Sequence, residues 1–143
     1  MGVWDARQVS RNSDGSWSGD TIRADWIWRY VLGGHAVQDE WIVPPLSDHA
    51  SPRFHGVIIR IYSPGEKLWH IAWTDTRGRK FSQFTATGDS ARIVMTGVDA
   101  RGRLARNIFG EITLESFVWT KEWNFEDGAT WVPVSRIRCT RKR

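Results

Sequence analysis

One cysteine, Cys139, in 143 residues excludes an internal disulfide framework. The four histidines, His35, His49, His55 and His70, show no His-x-x-x-His spacing and have no cysteine pair beside them, so no metal is expected. No apolar run approaches the roughly 20 residues of a membrane span, and the N-terminal MGVWDARQVS has no hydrophobic signal core. The expectation is a cytoplasmic protein without a membrane partner. A phosphate-binding glycine loop, a nucleophile elbow and a cysteine–histidine protease signature are all missing, so neither a cofactor nor nucleophilic catalysis is expected. Helical periodicity is missing as well. The best short candidate is a single irregular or helical turn over Trp4 to Ser10, closing one end of the fold.

Net charge is also scarcer than its total of +4 suggests. The last eight residues, Arg136 to Arg143, hold five of the twenty lysines and arginines and no acid, so the other fifteen bases meet sixteen acids. The basic residues are not interleaved with the aromatics, as they are along a single-strand-binding groove. The basic C-terminus reads as a solvated tail, and no nucleic-acid partner is expected.

Tryptophan is what the chain has in abundance: ten residues. An indole covers much apolar surface at little entropic cost and carries one N–H donor. Turn sequences separate short strand-like runs at intervals that fit an antiparallel meander. Gly33-Gly34 divides Asp25–Leu32 from His35–Val43, and Pro44-Pro45 opens a polar loop before Phe54–Tyr62. Ser63-Pro64-Gly65-Glu66 precedes Lys67–Thr74, and Asp75-Thr76-Arg77-Gly78 precedes Lys80–Ala86. Ser90–Thr96 and Arg103–Phe109 flank Asp99-Ala100-Arg101-Gly102, and a last hairpin joins Ser116–Phe125 to Thr130–Cys139 across Glu126-Asp127-Gly128-Ala129. With no break in composition, residues 1–143 read as one all-β domain, an antiparallel meander closing into a barrel of nine or ten strands.

Side chains alternate across a strand, so each run offers two faces. In His35–Val43 the more apolar face carries His35, Val37, Asp39, Trp41 and Val43, which would set Asp39 inside the barrel or at its mouth. Trp69, Ile71 and Trp73 share one face of the next-but-one strand, and His70 lies on the other. Lys121 stands on an otherwise aromatic face between Trp119 and Trp123. Its ammonium either snorkels to water, lies over an indole, meets an acidic ligand or pairs with Asp39. Arg60 and Arg106 sit in apolar segments, where an arginine kept inside must be paired and could grip a ligand carboxylate. Gln83 could orient a ligand oxygen or satisfy the barrel backbone.

Asp14-Gly15-Ser16-Trp17, Trp26-Ile27-Trp28, Leu32 to Trp41, Ile59-Arg60-Ile61-Tyr62 and Trp69-His70-Ile71-Ala72-Trp73 recur in an order that resembles the lipocalin-like, or calycin-like, small proteins of bacteria, a group of poorly defined function. Phe117-Val118-Trp119 and Asp127-Gly128-Ala129-Thr130-Trp131 extend that resemblance over most of the chain. It implies a β-barrel in which Gly15-Ser16-Trp17 matches the glycine–any–tryptophan element of the first lipocalin strand, with the indole closing the lower end. The usual lipocalin disulfides are absent.

The leading functional expectation is noncovalent binding of a small, largely apolar aromatic, polyketide-like or terpenoid ligand inside the barrel. Trp28, Trp41, Trp73 and Trp119 would form the wall, with Asp39, Arg60, Gln83, Arg106 and Lys121 as polar fixes. The alternative is a cofactor-independent isomerase, cyclase or lyase in which Asp39 and His70 move a proton in the same cavity. A third reading turns the indoles outward to build a homodimer, which is compatible with either.

Overall fold

The computed structural model describes residues 1–19, 21–89, 91–99, 101–125 and 128–143. Ten antiparallel strands follow one another: β1 (Gly2–Ser10), β2 (Ile22–Val31), β3 (Ala36–Val43), β4 (Phe54–Ser63), β5 (Leu68–Asp75), β6 (Ser82–Gly88), β7 (Ile93–Val98), β8 (Leu104–Gly110), β9 (Ser116–Asn124) and β10 (Trp131–Arg141). Each pairs with its neighbours in sequence, and β1 pairs with β10, so the meander closes into a barrel without a free edge. The fold class expected from the turns and alternation is the one observed.

Nine strands lie where the turn sequences put them, with ends differing by a few residues. Ser90, Ala100 and the pair Glu126–Asp127, which fall in the expected strand at 90–96 and turns at 99–102 and 126–129, lie outside the described residues. The tenth strand is a correction. Trp4 to Ser10 is extended and belongs to β1, hydrogen-bonded on one side to β2 and on the other to β10, with Ala6 opposite Cys139. The C-terminal segment is likewise a strand rather than a loose tail up to Arg141. Ile137 and Cys139 are buried inward while Arg138 stands exposed outside. Lys142, just beyond, makes an ion pair with Asp25.

Eight of the ten tryptophans belong to the core or pack against it. At about 25 cal/mol per Å² of apolar surface, an indole burying about 200 Å² contributes about 5 kcal/mol before ordering costs. Such bulk needs room on the facing strands, and two glycines supply it. A Cβ on Gly56 would stand 2.0 Å from the Trp73 ring, and one on Gly97 would stand 2.8 Å from Phe84 and 2.3 Å from the Gln83 carbonyl oxygen. Trp17 is a second correction. It lies in the loop after β1, 36% exposed, with the Arg136 guanidinium 5.1 Å over its ring, and it closes nothing. Among the described residues no helix is long and apolar enough to cross a membrane.

Gly56→Ala is expected to destabilise the barrel by about 1–3 kcal/mol, the usual cost of overpacking, read as a lowered denaturant midpoint. Unchanged stability would mean that the Trp73 indole does not lie across Gly56.

Candidate functional site

The barrel interior divides into a filled end and a hollow end. At the filled end, where β2 and β4 finish and β9 begins, Trp4, Trp26, Trp28, Phe109 and Phe117 interlock. The Trp4 and Phe117 rings meet edge-on at 4.9 Å, and Trp28 meets Phe109 at 5.8 Å. Within this plug sit Asp39, fully buried, and Arg60, 7% exposed. Asp39 forms an ion pair with Arg60, and its other oxygen accepts a 2.7 Å hydrogen bond from the Trp26 indole. The Arg60 guanidinium lies 4.4 Å over the Trp28 ring. Burial pulls Arg60 down to about 9.

The hollow end is a cavity of about 460 Å³, within the usual range for small-molecule sites. At about 30 Å³ per water it has room for about fifteen. Trp26 contributes to its lining, and Trp41, Ile58, Ile71, Trp73, Phe84, Met95, Trp119 and Ile137 supply most of the apolar wall. Trp26 and Trp41 meet at 86° and 5.3 Å, which presents one indole face and one edge. Phe54, Asp75, Ser82, Asp99 and Arg101 line it from the first or last residues of their strands or from the loops just beyond, so the opening lies at that end.

Two carboxylates at this end are already engaged. Asp75 accepts from the Trp73 indole at 3.0 Å and from the backbone N–H groups of Arg77 and Gly78. Asp99 accepts from Lys121 and from the Trp123 indole, both at 3.0 Å, and from the N–H groups of Arg101 and Arg103. Burial pushes both carboxyls up, but these donors and the nearby cations outweigh it and hold both below the ordinary carboxylate value of 3.8. Their stabilisation is therefore complete above that pH and is lost only as the pH falls through their lowered values. Asn107 differs. It is 6% exposed and lines the cavity, yet its Oδ1 has no hydrogen-bond partner among the described residues. A buried, unpaired acceptor costs about 1–3 kcal/mol, and this oxygen is closed off from the hollow itself.

The residues singled out from sequence part into three groups. Trp41, Trp73, Trp119 and Lys121 line the cavity, although the Lys121 charge is met by Asp99 rather than Asp39. Trp28, Asp39 and Arg60 face inward but lie in the plug and do not line the cavity. His70, Gln83 and Arg106 face out. His70 is exposed and bonded to Glu66 at 2.6 Å, and with Gln83 it borders a shallow groove on the outer wall. Arg106 makes an ion pair with Glu122 and lies 4.5 Å over Trp131. The proposed Asp39–His70 proton relay therefore does not form, because adjacent positions on a strand point to opposite sides of the wall and His70 takes the outer one. Cys139 is 1% exposed, and burial, helped by Asp5, pushes its thiol up to about 12, which leaves no thiolate at neutral pH.

Asp75, Asp99 and Asn107 are among the cavity residues that sequence reasoning missed, as are Trp26, Ser82 and Arg101. A signal existed for the first two. Asp75-Thr76-Arg77-Gly78-Arg79 and Asp99-Ala100-Arg101-Gly102-Arg103 repeat one pattern, Asp-x-Arg-Gly-Arg. In each the aspartate binds its own turn by side-chain-to-backbone bonds and also holds an indole.

No family model matches the chain, and no curated protein is significantly similar to it. Among solved structures it is similar to the S-type phycobiliprotein lyase CPES from Guillardia theta, with a TM-score of 0.64 and 12% identity over 100% of this chain and 88% of that one. The likeness is one of fold, and it places the barrel in the lipocalin-like class.

Asp39→Asn, which strands Arg60 beside a neutral side chain, is expected to cost about 3–5 kcal/mol of unfolding free energy, and Asp39→Asn/Arg60→Met to recover most of it. Equal losses in the single and double variants, measured by urea unfolding, would show that the two charges are not coupled.

Proposed function

We propose that the barrel binds a small, largely apolar aromatic, polyketide-like or terpenoid molecule in its open-end cavity. One observation carries this reading: a hollow of about 460 Å³ lined by four indoles, Trp26, Trp41, Trp73 and Trp119. Trp26 is tied to Asp39 and Trp73 to Asp75, so neither indole can swing in to fill the space without giving up a hydrogen bond. Apolar contact would supply most of the affinity, at about 25 cal/mol per Å² before the cost of ordering the guest. Lys121 reaches the same space from its ion pair with Asp99. Placement among bacterial calycin-like proteins and in the cytoplasm belongs to the same reading.

A second reading, a cofactor-independent isomerase, cyclase or lyase using this cavity, takes support from the fold shared with a protein named as a phycobiliprotein lyase. Its acid–base groups would come from the cavity wall, and Asp39 and His70 are withdrawn from that role. Binding is the common requirement of both readings.

Phenyl naphthylamine, a neutral aromatic probe, is expected to quench tryptophan emission saturably at one equivalent. Ser82→Phe/Met95→Phe, which fills the cavity, should weaken that binding at least about tenfold while circular dichroism stays that of a β-barrel. A folded protein whose emission ignores aromatic, terpenoid and acyl probes alike would overturn the proposal.

A further inference from the structure

Charge is unevenly spread over the outside of the barrel. The outer wall of β1 to β3 carries ion pairs, Arg7 with Asp5 and Arg29 with Glu40. Along β4 to β7 the outward positions hold no Asp, Glu, Lys or Arg among the described residues, and β6 and β7 have none at any position. Glu40 bonded to His55 marks one border of this wall, and Arg106 paired with Glu122 marks the other. Between them Ile59, Ile61, Val98 and Leu104 stand exposed, Ile59 at 38% and Ile61 at 41%. His70, at the edge, is bonded to Glu66. A contiguous uncharged and partly apolar wall marks a contact surface. Its shape is a ridge beside a groove. Ile59 and Ile61 make the ridge on β4. Ala72, the smallest outward side chain of β5, lies between Ile59 and Gln83 across the strands, and a groove of about 370 Å³ runs over His70, Ala72, Gln83 and Thr85.

From this face, and independently of what the cavity holds, we infer that the protein forms a homodimer in which the β4 to β8 walls of two copies pack together. A two-fold axis running along the strands, between ridge and groove, seats the Ile59–Ile61 ridge of each copy over the Ala72 and Gln83 of the other. In such a contact the same surface meets itself, so a charged wall would repel its own copy and an uncharged one does not. Five strands about 4.8 Å apart, each presenting about 23 Å, cover about 550 Å². Two such faces bury about 1,100 Å² in all, just above the roughly 1,000 Å² that a specific pair needs. The dimer is therefore reversible rather than obligate. The indoles take no part in it. Trp69, Trp73, Trp119 and Trp123 pack against the core, so the expected dimer through outward indoles gives way to one built on isoleucine, valine and threonine.

In sedimentation equilibrium of the full chain, the mass is expected to rise from 16.5 kDa towards twice that value, with a Kd of about 10 μM. Ile59 and Gln83 are exposed and do not line the cavity, so Ile59→Lys and Gln83→Glu should keep the fold and the phenyl naphthylamine response of the wild type. Each alone should weaken the dimer at least about tenfold, because it sets an unpaired charge in the contact. Mixed in equal amounts the two variants should associate again, since the lysine of one copy then faces the glutamate of the other. A wild type that stays monomeric at concentrations well above that Kd would overturn the inference. So would single variants that dimerise like the wild type, or a mixture that associates no better than either variant alone. A monomer that sediments with lipid vesicles would overturn it too, and would assign the face to a membrane.

Discussion

Hydrogen bonds from indole N–H groups to carboxylates organise this barrel. Trp26 donates to Asp39, Trp73 to Asp75 and Trp123 to Asp99. Each bond fixes the rotation of a bulky indole. Each carboxylate is in turn fixed by something else: Asp39 by Arg60, Asp75 by its own turn, and Asp99 by its turn and by Lys121. A closed sheet of ten strands with eight inward or core-packed indoles could collapse around a solid centre. Here the rings are tethered to the floor and wall, and the space between them stays open.

The two ends of the barrel use the same ingredients for different purposes. At the filled end an arginine, an aspartate and five aromatic rings leave little room, and the buried ion pair is completed by the Trp26 indole. At the open end carboxylates sit on hairpin turns, where backbone N–H groups satisfy them and solvent is near. The repeated Asp-x-Arg-Gly-Arg sequence joins both tasks in five residues. Its first residue anchors an indole and its first arginine is left at the cavity edge, while the left-handed position of the turn falls on Gly102 in one copy and on Arg79 in the other.

Much of the fold was legible because turn chemistry is local. Gly33-Gly34 and Ser63-Pro64-Gly65-Glu66 end their strands as expected, and the alternation of Trp69, Ile71 and Trp73 places those residues on one face. The first strand was hidden because its partner β10 lies at the opposite end of the chain, and Trp4, Ala6 and Gln8 form a mixed face without a strong signature. The site was harder to read than the fold. Period-two alternation gives two faces but does not say which is inward when both are mixed, as in β6 and β8. There Ser82, Phe84, Asn107 and Phe109 point in, while Gln83 and Arg106 point out. Asp75 and Asp99 read as ordinary turn residues, which they are, and their second bonds to distant indoles depend on pairing that no local pattern contains.

The similarity of fold to a phycobiliprotein lyase at 12% identity leaves the chemistry of this barrel to its own residues. The most direct measurement is a crystal structure of the protein soaked with a brominated naphthol, with the bromine located by its anomalous signal. One strong peak is expected inside the barrel, among Trp41, Trp73 and Trp119. A peak only in the outer groove beside His70 and Gln83, or a side-chain-filled interior with no peak, would contradict it.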